Sequence, residues 1–147
     1  MMKRVISFKK LKEDAVIPTK GSEYSAGYDL YALVDNPVVI APGETKFIGT
    51  GLAVKLPAFT FGGIYARSGL ACKHGLRPGN CVGVLDCDFR GEIMIALHND
   101  SQETRTVFNK DRIAQLIVQP YTDASCVEVD ELDETERGAG GFGHTGR

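Results

Sequence analysis

Turn-forming residues recur along this chain at short intervals, and that spacing limits what it can fold into. PTKG stands at 18–21, Asn36 is followed by Pro37, APG stands at 41–43, Gly62 by Gly63, and PGN at 78–80. That spacing is the one expected of an all-β sandwich or barrel, and no convincing amphipathic helix runs longer than about two turns. Ile93, Ile95 and Leu97 alternate with Glu92, Met94, Ala96 and His98, the period of two that gives a strand two unlike faces. Residues 46–56 and 113–118 are apolar and β-branched enough to be buried strands, and one short helical piece is expected near 68–73. The expectation is an all-β antiparallel sandwich or jelly roll.

A chain of 147 residues makes one domain and buries about two thirds of its unfolded surface, enough for a core without metal or disulfide staples. The net charge of −2 argues against nucleic acid or an anionic membrane as the main partner. No apolar run nears the ~18 residues that span a bilayer, and the first residues, MMKRVISFKK, lack a signal-peptide core; a soluble, cytoplasmic protein is expected. Cys72, Cys81, Cys87 and Cys126 show no CxxC spacing and read as free thiols. Cys72 and His74 have no second pair to complete a zinc site, and His74, His98 and His144 are too scattered for a histidine cage.

Glycine is concentrated at the end: five of the 17 lie in the last eleven residues, RGAGGFGHTGR, after an acidic stretch over 128–136. We divide the chain into a β core over 1–130 and an acidic linker with a flexible glycine-rich flap over 131–147. GFGHTG at 141–146 spells GxGxxG, but the dinucleotide reading needs a helix to follow, and the given sequence stops one residue later. Such a segment is either a frayed terminus or a mobile flap. As a flap, its amides and the Thr145 hydroxyl would wrap an anion, with Arg137 adding charge and Phe142 stacking on a ligand.

Four further places carry chemistry. Arg67 and Ser68 follow the apolar pair Ile64-Tyr65, where a strand leads into a short helix; they suit phosphate oxygens, or else a plain helix cap. Asp86 and Asp88 would face one side if the chain is extended there, one activating a water; otherwise they form an acidic turn. Asp29 stands among buried-strand residues and needs a partner, an arginine or a metal-bound water. Gln115 sits inside an apolar strand, where its amide needs a defined hydrogen-bond partner.

Taken together, AGYDLYA at 26–32, RSGLA at 67–71, GVLDCDFRGE at 83–92, DRIAQL at 111–116 and RGAGGFGHTG at 137–146 resemble the five ordered motifs of the trimeric deoxyuridine triphosphatase (dUTPase) family. The resemblance runs from about residue 5 to the end. It implies a jelly-roll or distorted-barrel homotrimer whose sites are shared between subunits. The implied reaction turns dUTP and water into dUMP and pyrophosphate, with Mg²⁺ bound through the triphosphate and Asp29 reaching it, if at all, through water. Asp86 would orient and deprotonate the attacking water. Asn80, Gly83 and the hairpin backbone would read uracil, and Phe89 would stack on the deoxyribose. Arg67, Ser68, Gly69 and Gln115 would hold phosphates. Arg137, Phe142, Gly143, His144 and Thr145 would close over the nucleotide. Three positions depart from the family's usual residues: Phe89 for Tyr, Ala66 for Pro and His144 for Ser. The resemblance leaves two other outcomes to weigh, a dCTP deaminase of the same fold and a nucleotide-switched regulatory binding protein.

Overall fold

The computed structural model describes residues 4–80 and 82–144. Among them run β1 (Ser7–Lys10), β2 (Thr19–Lys20), β3 (Tyr28–Tyr31), β4 (Val38–Ile40), β5 (Thr45–Gly49), β6 (Leu52–Lys55) and β7 (Thr60–Tyr65). After β7 come α1 (Ser68–His74), β8 (Leu76–Pro78), β9 (Gly83–Leu85), β10 (Met94–Asn99), β11 (Arg105–Val107) and β12 (Arg112–Pro120). All the ladders are antiparallel. The largest sheet has the order β2-β3-β12-β7-β9; β5-β10-β8 forms a second, and β1-β6 and β11-β4 are two-stranded. Apart from β2-β3, neighbours in a sheet are not consecutive in sequence, so the chain crosses repeatedly between sheets. This is the all-β jelly roll expected from the turn spacing.

The core forms where the inward faces meet. Leu30, Ile40, Ile48, Leu52, Ile93, Ile95, Leu97, Ile113 and Leu116 are each at most 1% exposed. Burying an aliphatic side chain of this size is worth about 1.5–3 kcal/mol, so these nine carry much of the stability. β10 shows the sequence logic directly: Ile95, Leu97 and Asn99 point inward, and Met94 outward. Asn99 is buried but satisfied, its amide donating to the carbonyls of Ile40 at 2.9 Å and Glu103 at 2.8 Å. It thereby ties the turn after β10 to β4.

Two local expectations are corrected. The single strand expected over 46–56 is two, β5 and β6, which belong to different sheets. The chain breaks at Thr50-Gly51, where Gly51 has φ +67 and the Thr50 hydroxyl donates to the Ile93 carbonyl at 2.8 Å. Gly62 and Gly63 do not turn the chain; they lie inside β7. Space explains them: a Cβ on Gly62 would come 2.7 Å from Leu116, and one on Gly63 would come 2.5 Å from the Tyr65 ring. The helix is where it was expected. Cys72, Cys87 and Cys126 are free thiols, and Cys81 lies outside the described residues. Among the described residues no helix is long and apolar enough to cross a membrane.

Lys110 occupies the left-handed region at φ 67, in the turn that feeds β12. Its amide donates to the Ala32 carbonyl at 2.8 Å, so the turn is held by the backbone and the lysine pays conformational strain. Lys110→Gly is expected to stabilise the fold by about 0.5–1 kcal/mol after the entropy cost of glycine, a rise of roughly 2–3 °C in Tm. Gly51→Ala is expected to lose at least about 2 kcal/mol, because its Cβ would lie 2.4 Å from the Leu33 side chain at a positive φ. Thermal unfolding followed by circular dichroism checks both; an Ala variant as stable as the parent would remove the steric account of the break.

Candidate active site

The outer face of the five-stranded sheet carries the first cluster. Asp29 on β3 pairs in register with Gln115 on β12, which in turn pairs with Tyr65 on β7, so all three point the same way. Asp29 is only 15% exposed at its side chain. Its Oδ1 accepts Arg67 Nε at 2.8 Å and its Oδ2 accepts Arg112 Nη1 at 3.3 Å. Of the two partners expected for this buried carboxylate, the structure supplies arginine. Gln115 Nε2 donates to the Ala66 carbonyl at 2.8 Å, fixing the strand end from which Arg67 projects. Gly27 permits this: a Cβ there would sit 2.2 Å from Gln115 Oε1. Ser68 and Gly69 are exposed in the first turn of α1. Ser68 does not cap that helix; Arg67 holds the N-cap position and no side chain closes the turn.

The second cluster is the hairpin around β9. Asp86, Cys87 and Asp88 are a turn, with the Phe89 amide donating to the Asp86 carbonyl at 3.1 Å, so the extended reading of this pair is replaced by the acidic turn. Arg90 closes the turn by donating from Nη1 to the carbonyls of Cys87 at 2.8 Å and Phe89 at 2.9 Å. The backbone oxygens are thus occupied, while Asp86 and Asp88 stay exposed. The Phe89 ring lies over Gly91, and 41% of the residue is exposed. Tyr121 stands beside the turn; desolvation of its phenol, then the nearby Cys87, Asp123, Asp86 and Asp88, push its pKa up. Asn80 and Gly83 line a small cleft of about 110 Å³ with Val84, Met94 and Ala96.

Within one chain Asp86 and Arg67 stand apart along β7. Leu85 pairs with Gly62, near the start of β7, whereas Arg67 follows its end. At about 3.3 Å per residue the two ends are roughly 16–20 Å apart. The third group, Arg137, Phe142, Gly143 and His144, lies beyond β12 in an exposed segment. Its hydrogen bonds are local: Arg137 Nε donates to the Gly140 carbonyl at 2.8 Å and the His144 amide to the Gly141 carbonyl at 3.1 Å. Thr145 lies outside the described residues.

The dUTPase family model matches residues 13–146, a span that contains all three groups. The chain belongs to the dUTPase family. It is 46% identical over 142 residues to the deoxyuridine 5'-triphosphate nucleotidohydrolase of Nautilia profundicola, covering 97% of this chain and 99% of that one. Against the enzyme of the same name from Arabidopsis thaliana the identity is 50% over 139 residues, 94% of this chain and 81% of that protein. Among solved structures, the Staphylococcus bacteriophage 80alpha dUTPase with dUPNHPP superposes with a TM-score of 0.87 at 26% identity, over 99% of this chain and 100% of that chain.

Sequence reasoning did not single out Arg112, which the structure places on Asp29. Arg112 lies within DRIAQL, but strict alternation puts it on the face opposite Gln115, three positions away. A register shift between Arg112 and Ala114 brings it round. The only signal was the unpaired demand of Asp29 for a partner. Gly27→Ala is expected to push the Gln115 amide off the Ala66 carbonyl and cut kcat/KM for dUTP about tenfold. Tm should fall by only a few degrees, since a side-chain end can move aside. Steady-state pyrophosphate release beside a melting curve checks this; unchanged kcat/KM would detach Gln115 from phosphate binding.

Proposed function

We propose that the chain is a cytoplasmic dUTP diphosphatase that works as a homotrimer, each site being assembled from more than one subunit. The reaction is attack of water on the α-phosphorus of dUTP, giving dUMP and pyrophosphate. What carries the shared-site reading is the separation along β7: Asp86 and the Arg67 cluster stand at opposite ends of one strand. That backbone span is longer than a triphosphate, which supports a site whose two halves come from different chains.

Surface chemistry supports the same reading. Phe47 is 73% exposed on β5 and pairs in register with Ala96, next to Met94 on β10 at 45% exposure. Val84 on β9 borders the same cleft as Met94 and Ala96. An outward patch of phenylalanine, methionine and valine is costly in water and suited to a subunit boundary. The chain exposes 10410 Å², against about 7,400 Å² for a compact monomer of its mass. The exposed acidic linker and flap over 131–144 account for part of the excess, as a segment that would close over a neighbour's nucleotide.

Phosphoryl transfer asks for positioning and neutralisation more than covalent chemistry. Asp86, exposed at the hairpin turn, orients the water and accepts its proton. The Phe89 ring lies along the deoxyribose and rejects a 2′-hydroxyl by occupying its space. Asn80 and the backbone at Gly83 read the uracil edge in the cleft. Arg67, with the exposed Ser68, Gly69 and the amide of Gln115, receives the phosphates, and Arg137, Phe142, Gly143, His144 and Thr145 exclude water once the flap closes. Mg²⁺ would be carried on the triphosphate and would meet the protein through water, as that ion keeps much of its water shell beside substrate phosphates. The exposed Asp86 and Asp88 are hard oxygen donors suited to that, whereas both oxygens of Asp29 are taken by Arg67 and Arg112. When bound, Mg²⁺ supplies charge neutralisation on the triphosphate. The DCDFRG turn and relatives named for dUTP favour hydrolysis over deamination.

Asp86→Asn is expected to keep the fold and nucleotide affinity while lowering kcat by about 10²–10⁴, the scale of a lost general base. Near-normal turnover would refute its role. Mixing Asp86→Asn chains with chains lacking 137–147 is expected to restore part of the activity that neither parent has. No recovery after verified subunit exchange would count against shared sites.

A further inference from the structure

We infer that Arg112 is a positioning residue for Arg67: it holds the second oxygen of Asp29, and the three side chains together present a net positive, fixed guanidinium to the phosphates. The inference rests on the dUTP reading above. A pair of Asp29 with Arg67 alone would be neutral and would cancel most of the field that a polyanion meets. With Arg112 added, two guanidinium groups share one carboxylate and one positive charge remains.

The geometry assigns one carboxylate oxygen to each arginine, Oδ1 to Arg67 at 2.8 Å and Oδ2 to Arg112 at 3.3 Å. Neither arginine takes Asp29 in a two-pronged pair. Arg67 Nη1 leans on the carbonyl of Arg112 at 3.4 Å, so the backbone and side chain of one residue both brace it. Its Nη2 has no partner among the described residues and is left for phosphate.

The fold goes out of its way to place Arg112. In uninterrupted pairing Tyr31 would face Ile113, and Arg112 would point with Ala114 toward the core. Instead Arg112 is opposite Tyr31 and Ala114 opposite Leu30, with Ile113 as the extra residue. The bulge turns Ile113 and Ala114 both inward, at 1% and 0% exposure, and swings Arg112 onto the face of Asp29 and Gln115. Bulges re-aim side chains in this way beside active sites. Arg112 itself is 52% exposed at its side chain, so the core does not need its packing.

The test compares wild type, Arg112→Gln and Arg112→Lys in dUTP hydrolysis, with competitive inhibition by pyrophosphate and by deoxyuridine, and with Tm. For Arg112→Gln the expected result is a KM about tenfold higher with kcat within about threefold, the factor for one charge-assisted hydrogen bond. Pyrophosphate inhibition should weaken about tenfold while deoxyuridine inhibition stays unchanged. Arg112→Lys keeps the charge and loses the planar fork, so it should recover part of both losses; it also serves if the Gln variant fails to fold. Asp29→Asn added to Arg112→Gln should cost much less than it costs alone. Wild-type values in both Arg112 variants would overturn the inference, as would equal losses toward pyrophosphate and deoxyuridine. A wild-type protein without dUTP turnover would instead sink the enzymatic reading, and direct titration with pyrophosphate would still decide the role of Arg112.

Discussion

Strand β12 is the constraint on which the rest of the structure depends. It sits between β3 and β7 in the largest sheet, and its inward side chains Ile113, Ala114 and Leu116 are buried to 1% or less. The same nine residues present Arg112 and Gln115 outward. Because a strand alternates, anchoring one face fixes the other, so core packing sets where the cation and the amide stand. Alternation alone would leave Arg112 on the wrong side; one bulge corrects it without disturbing the pairs from Gln115 onward. In the proposed site, rigid strands thus hold the phosphate end, where positional error is most costly.

The hairpin at the far end of β7 is built differently. Its turn is closed by Arg90 bonding to backbone oxygens, which leaves both aspartates in solvent. Asp86 and Asp88 are open to water, whereas both oxygens of Asp29 are held by arginines and are committed to structure. The acids therefore divide their roles by surroundings. In the proposed trimer a subunit boundary brings the exposed carboxylate of one chain to the phosphates held by another.

Much of this was legible in the residues because the signals were local. The turn spacing and the alternation at Ile93, Ile95 and Leu97 specify strands through nothing more than the pleat. Asp29 in an apolar strand announced that a partner must meet it, an arginine or a metal-bound water. What could not be read was set by packing between distant segments. Thr50-Gly51 breaks a continuous apolar run because Leu33 and Ile93 crowd it from elsewhere in the chain. Gly62-Gly63 looks like a turn but lies in a strand because Leu116 and the Tyr65 ring fill the space above it. The acidic pair at 86 and 88 bends instead of extending because Arg90, two residues beyond, supplies donors for the turn carbonyls.

The flap follows from what it lacks. Beyond β12 the chain is acidic and then glycine-rich, and Phe142 is the one large apolar side chain in 137–144, fully exposed between two glycines. Ordering each residue of such a segment costs about 1–2 kcal/mol of backbone entropy, and a single ring cannot offset that against the chain's own body. A ligand can. Stacking on a base, together with phosphate contacts from Arg137, would supply binding energy available only when nucleotide is present. In the proposed flap, closure would be coupled to occupancy, and the glycines would let its amides approach phosphate oxygens.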